Sequence, residues 1–169
     1  DNLTINNAGA LAILSNNVTI TGDLTVTSGD LNLGSNEVTL SGDLNVSGGS
    51  LTMGTSTVKM VGSSAQTITT NGSDLYNLDI VNTKAAGTSI TLGSDVTVSN
   101  ILKLSDGIVQ TTSSYTLFVD DNRVNAIVGD DGTVNSLDAA SFVWGKLKRT
   151  VMNGSGSGNN TYVFPVGQQ

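Results

Sequence analysis

A twenty-residue period runs through the first third of the chain and limits what it can fold into. The stretch Val18 to Glu37 is repeated by Val38 to Thr57, with every apolar position and most turn positions kept. Each copy holds three apolar-polar-apolar triplets, opening at Val18, Leu24 and Leu31, then at Val38, Leu44 and Leu51. The steps between them are six, seven and seven residues. A fixed short period signals stacked repeats, and alternating triplets joined by Gly, Ser, Asp and Asn are short strands with turns between them. Three strands per period make a three-sided coil. The pattern predicts an all-β, parallel β-solenoid (β-helix) with about twenty residues per coil in the N-terminal part. The handedness of parallel crossovers makes it right-handed.

Strand side chains alternate between faces. Val18, Ile20, Leu24, Val26, Leu31 and Leu33 are therefore predicted to point inward, with Thr19, Thr21, Thr25, Thr27 and Asn32 facing solvent. Burying six aliphatic side chains recovers less free energy than ordering twenty residues costs. A single coil is unstable alone and needs neighbours on both sides to complete its hydrogen bonds and extend its core. The exact spacing predicts that Val18, Val38 and Val58 stack in one inward ladder, with Leu24 over Leu44 and Leu31 over Leu51.

Leu3-Thr4-Ile5 and Leu11-Ala12-Ile13 fit the second and third sides of an earlier coil, with one residue of slack. After Val58-Lys59-Met60 the period loosens. Gln66-Thr67-Ile68, Leu75 to Ile80, Ile90-Thr91-Leu92, Val96-Thr97-Val98 and Leu102-Lys103-Leu104 read as strands with wider corners. Ile108-Val109, Tyr115 to Val119 and Asn125 to Val128 continue them. The solenoid is thus expected over residues 1–140. Residues 141–169 are expected to be terminal strands, a cap, or the start of a following domain. Within them, Gly154 to Asn160 has the composition of a flexible loop. The chain opens at Asp1 inside a strand-like triplet, as a fragment or a processed secreted protein would.

Net charge is −7 and no Lys or Arg precedes Lys59, so the basic footprint of a nucleic-acid partner is missing. Lys146, Lys148 and Arg149 form the one basic cluster, expected on a solvated strand. No apolar run reaches the length of a membrane-spanning helix. Cys and His are both absent, which excludes Ser-His and Cys-His catalysis and the zinc sites built on those residues.

Several stretches of the second half resemble a pattern found in β-solenoid regions of large secreted and cell-surface, adhesin-like proteins of Bacteroidetes, many exported by the type IX secretion system. The resemblance is carried by Gln66-Thr-Ile68 with Leu75-Tyr-Asn-Leu-Asp-Ile80, Leu102-Lys-Leu-Ser-Asp-Gly-Ile108, Phe142-Val-Trp-Gly-Lys-Leu147 and Tyr162-Val-Phe-Pro-Val-Gly167. It implies an extracellular or cell-surface, modular and non-enzymatic protein. No C-terminal sorting domain accompanies the pattern in this sequence.

Candidate sites are few. Asp120-Asp121 and Asp130-Asp131 are the acidic pairs open to carboxylate chemistry, but neighbouring acids on a strand face opposite ways. Asp23 and Asp43 occupy equivalent corners one coil apart, about 4.8 Å by strand spacing, and are candidate calcium ligands against the plainer reading of turn aspartates. Asp130-Asp131-Gly132-Thr133 reads as a turn. Outward Thr4/Asn6, Thr25/Thr27, Asn45/Ser47 and Thr67/Thr69 are expected to stack on the second side as a row able to bind a surface, as ice-binding solenoids do. Asn45, Ser47 and, on the first side, Lys59 interrupt the threonines. Tyr76, Tyr115, Phe118, Trp144 and Tyr162 are dispersed aromatics, with Trp144 expected to pack in the terminal region.

The expectation is a non-enzymatic structural or adhesive module of a secreted or cell-surface protein, acting as a rod, stalk or fibre element and needing no cofactor. Its partners are further coils of the same polypeptide or subunits joined end to end, and surface glycans are a further class. The alternatives are a carbohydrate-binding or polysaccharide-cleaving β-helix and, behind it, an ice-binding solenoid.

Overall fold

Short apolar alternations separated by Gly and Asp corners fold here into strands of a few residues, each completed by the coil above and the coil below. The computed structural model describes residues 1–137, 139–152 and 160–168. The chain starts with β1 (Leu3–Ile13), β2 (Val18–Ile20) and β3 (Leu24–Asn32). Then come β4 (Glu37–Leu40), β5 (Leu44–Val46), β6 (Ser50–Thr52), β7 (Thr57–Gly62) and β8 (Gln66–Thr69). The middle holds β9 (Leu75–Asn82), β10 (Ile90–Leu92), β11 (Val96–Asp106), β12 (Val109–Gln110) and β13 (Leu117–Val119). The last are β14 (Ile127–Val128), β15 (Val143–Trp144) and β16 (Leu147–Arg149). A single 3-10 turn, Val134–Ser136, is the only helical element among the described residues, and no helix is long and apolar enough to cross a membrane.

Every strand pairing is parallel, and the strands stack in about six coils, about 21 residues apart: a β-solenoid. On the first side Val18, Val38, Val58 and Leu78 stack at twenty-residue steps, and Leu102 and Ile127 extend the ladder. Leu24 lies over Leu44 and Leu31 over Leu51, as the spacing requires. The strict period therefore lasts one coil longer on this side than the sequence pattern suggests. β9 rounds a corner: Leu75 belongs to the third side, paired with Val98, while Leu78 belongs to the first. The core is a column of aliphatic side chains, from Ile20 and Leu24 to Ile127 and Val143.

The second side lengthens partway up. Leu44 pairs with Ile68, so β8 begins before the corner at which β5 begins, and Gln66 stands level with Gly42. Gln66 faces inward and is buried. Its Nε2 donates to the carbonyls of Gly42 at 2.6 Å and Leu40 at 3.2 Å. Asn82 Nδ2 donates to Gln66 Oε1 and to the Ser64 carbonyl, both at 2.7 Å. This amide pair satisfies the backbone where a narrower coil meets a wider one, which a buried polar group must do to be tolerated.

Two registers differ from expectation. In the first coil Ala12, not Leu11 and Ile13, faces the core, because it pairs with inward Leu31. Leu14 then follows it onto the core, as Leu33 follows Leu31. Leu11 and Ile13 are left 56% and 62% exposed on the outer face. The slip is taken up by the irregular segment between Asn6 and Leu11, where Gly9 adopts φ +77°. On the second side, Thr69 rather than Thr67 stands beside Asn45, the consequence of the lengthened β8.

Beyond residue 140 the stacking goes on. β15 pairs with β12 and β16 with β13, and Val166 bridges Val143 in parallel. The Gly/Ser stretch of residues 154–159 lies outside the described residues.

Candidate functional site

The corner between the first and second sides carries a ladder of side-chain acceptors. Asn2 Oδ1 accepts from the Asp23 amide at 2.9 Å. Asp23 Oδ1 accepts from the Asp43 amide at 2.8 Å, and Asp43 Oδ1 from the Thr67 amide at 2.7 Å. Asp95 repeats the device on another corner by accepting from the Thr116 amide at 2.7 Å. The calcium candidates Asp23 and Asp43 are thus stacked as expected, with one oxygen of each committed to a backbone donor of the next coil. Among the described residues no three His, Cys, Asp or Glu side chains gather where they could hold a metal ion.

The other carboxylates are engaged separately. Asp120 Oδ1 accepts from Thr150 Oγ1 at 2.7 Å. Asp121 forms a two-oxygen pair with Arg123 Nε at 2.9 and 3.0 Å. Burial pushes the Asp121 carboxyl up, but hydrogen bonds from the Arg123 side chain and backbone, with the charges of Arg123 and Arg149, hold it below the ordinary aspartate value. Asp131 is also held low, by hydrogen bonds involving Ser136 and Thr133. Asp130 lies 4.0 Å from Lys103, whose ammonium is 3.9 Å from the largely buried Asp79. Lys59, Asp79 and Lys103 occupy successive coils of one outward ladder, alternating in sign, above Thr19 and Thr39.

The threonine row is shorter than its sequence suggests. Thr4, Thr25, Asn45 and Thr69 are in register. A Cβ on Gly93 would meet Thr69 Oγ1 at 2.2 Å, so that glycine keeps the next coil clear of the threonine. Thr27 is exposed and its hydroxyl turns back to the Ile5 carbonyl at 3.3 Å, while Asn6 pairs with Ser28. Thr67 begins a different outward row, Thr67, Thr91, Gln110 and Trp144.

Of the basic cluster, Lys146 and Lys148 are exposed, as expected of a solvated strand, and Arg149 is not. Lys148 Nζ sits 4.3 Å from the Phe118 ring centroid, and Lys146 Nζ donates to the Ser113 carbonyl at 2.6 Å. Arg149 is only 6% exposed. It donates to the carbonyls of Val163 and Arg123 at 2.9 and 2.8 Å and stacks on Tyr162 at 4.7 Å. Tyr162 in turn donates its hydroxyl to the Asn122 carbonyl at 2.8 Å. Desolvation lowers the Arg149 pKa from its ordinary value, and the guanidinium remains charged because that value is so high. A side chain read as surface charge from composition is the bolt that holds the terminal segment to the last coil.

Among the aromatics, Tyr76 and Tyr115 pack against the core. Trp144 is half-buried, faces outward beside Gln110, and on its other flank lines a depression with Val166, Gly167 and Gln168 of the terminal segment. The alternation Phe142-Val143-Trp144 held the signal for this, since inward Val143 forces Trp144 outward. Gln66 and Asn82 gave no such signal, because their burial depends on a change of coil width. Comparison with protein-family profiles, with curated proteins and with solved structures gives no match to this chain.

Proposed function

We propose that this chain is a non-enzymatic rod or spacer module of a secreted or cell-surface protein, in keeping with its resemblance to Bacteroidetes surface solenoids. The observation that carries the reading is the use made of its polar groups. Carboxylates, amides and the buried arginine are committed to backbone and side-chain partners that tie one coil to the next. Such a chain spends its polar chemistry on extending a stack. At the first coil Leu3, Ile5, Ala12, Leu14 and Val18 are only partly buried against the core, a face that another coil of the same spacing would cover.

The test is to place a copy of Gly22 to Ser41 ahead of Asp1, in register because Leu3 pairs with Leu24, and measure thermal unfolding. A rod whose first coil another coil can cover gains stability and keeps a cooperative transition. No gain, or loss of cooperativity, refutes the reading. A parallel assay for new reducing ends on a polysaccharide panel is expected to show no turnover. Hydrolysis that disappears in Asp120→Asn, Asp121→Asn, Asp130→Asn or Asp131→Asn would make the protein an enzyme.

A further inference from the structure

We propose that Trp144 is the stacking platform of a glycan-binding site on the outer face of the second side, selective for neutral, linear polysaccharides. This goes beyond the rod reading, which stands whether or not the site binds.

The indole is flanked by two depressions that both include Trp144 and Gly145. One, of ≈ 220 Å³, is bounded by Gln110, Thr112 and Ser113. The other, of ≈ 460 Å³, is bounded by Val166, Gly167 and Gln168. A side chain at position 145 is excluded, since φ is +123° and a Cβ would stand 2.3 Å from Thr111 Oγ1. The floor beside the ring is therefore bare backbone. Thr112, a β-branched residue, holds φ +62° at the rim of the smaller depression. Backbone strain of this kind persists only where the surroundings enforce it, and it concentrates at binding sites.

The chemistry of the lining selects the ligand. Large aromatic rings with a polar edge favour partners that are apolar on one side and wet on the other. A pyranose with equatorial hydroxyls fits, with its C–H face for the indole and its hydroxyls for the rim. The polar groups on the rim are amides and hydroxyls. Gln110 accepts from Thr88 Oγ1 at 3.2 Å through Oε1, and neither its Nε2 nor Trp144 Nε1 has a hydrogen-bond partner among the described residues. No residue bounding either depression is charged, and Lys146 nearby spends its ammonium on the Ser113 carbonyl. With a net charge of −7, the molecule disfavours anionic sugars at long range.

Trp144 is the only tryptophan of the chain, so its emission reports this site alone. The full chain would be titrated with cellohexaose, xylohexaose, mannohexaose and the anionic hexagalacturonate. Expected is a saturable change in emission with at least one neutral hexaose, and weaker or no response to hexagalacturonate. In affinity electrophoresis through the matching polysaccharide, Trp144→Ala should weaken retention by about tenfold or more, the loss typical of truncating an aromatic anchor. Gln110→Ala, which leaves the indole in place, should weaken it several-fold. The proposal is overturned if no neutral hexaose gives saturation, if hexagalacturonate binds tighter, or if Trp144→Ala is retained like the parent. Should Trp144→Ala lose its β-sheet circular dichroism, the decision passes to Gln110→Ala, whose unchanged retention overturns the proposal as well.

Discussion

The Asp23 carboxylate accepts a hydrogen bond from the Asp43 backbone amide of the next coil at 2.8 Å, and Asp43 does the same for Thr67 at 2.7 Å. Two residues with the spacing of cation ligands are thus corner caps that propagate along the axis. Each caps a donor that the tight corner would otherwise leave unpaired.

Asp43→Ala is therefore expected to destabilise the protein by about 1–3 kcal/mol, the cost of an unsatisfied amide. Neither calcium nor a chelator should shift the melting temperature of the parent. A calcium-dependent rise in melting temperature that Asp23→Ala or Asp43→Ala removes would restore these residues as metal ligands.

Val38 is fully buried between Val18 and Val58. Val38→Asp places an unpaired charge in that column, at a cost of several kcal/mol. Because each coil is stabilised by its neighbours, the damage should spread. Hydrogen exchange should show lost protection in β2, β4 and β7 together, and an unaltered exchange pattern would contradict the stacked core.

Gln66→Ala strips a donor from the carbonyls of Leu40 and Gly42 and an acceptor from Asn82. The expected loss is about 1–3 kcal/mol for each buried group left unsatisfied. Gln66→Glu should be worse still, since it cannot donate when ionised. Equal stability of parent and both variants by chemical denaturation would show that the network is dispensable.

Arg149→Met keeps much of the apolar stem but removes the donors to Val163 and Arg123. The terminal segment should loosen while the lower coils stay intact. The observable is the Val143 amide, which donates to Pro165 at 2.8 Å. Its hydrogen exchange should accelerate in the variant, with the amides of β4 and β7 unchanged.

Asp121 titrates below its ordinary value in the folded chain, chiefly because the hydrogen bonds and charge of Arg123 outweigh burial. A lowered folded pKa stabilises the fold above the unfolded value of about 3.9, and this is lost as pH falls through the folded value. Asp121→Asn should therefore flatten the acid limb of stability below about pH 4. Superimposable acid limbs for parent and variant would refute the pairing.

The coil was legible from the sequence because its signals are local or repeat at a fixed distance. Alternation decides which side chains can share a face, and twenty-residue identity places Val18, Val38 and Val58 in one ladder whatever the remainder does. Register elsewhere is a property of two strands, and a one-residue slip turns every side chain over. Leu11-Ala12-Ile13 offers two alternations, and inward Leu31 and Leu33 above it selected Ala12 and Leu14. The widening of the second side at Gln66 is likewise invisible in a single strand. It moved Thr69 beside Asn45 and began the outward row that ends at Trp144. Arg149 looked like surface charge because composition cannot foresee two carbonyls and an aromatic ring converging on one guanidinium. The repeat was set by the order of residues along the chain, whereas burial of these polar side chains was decided by which coil lay above and which below.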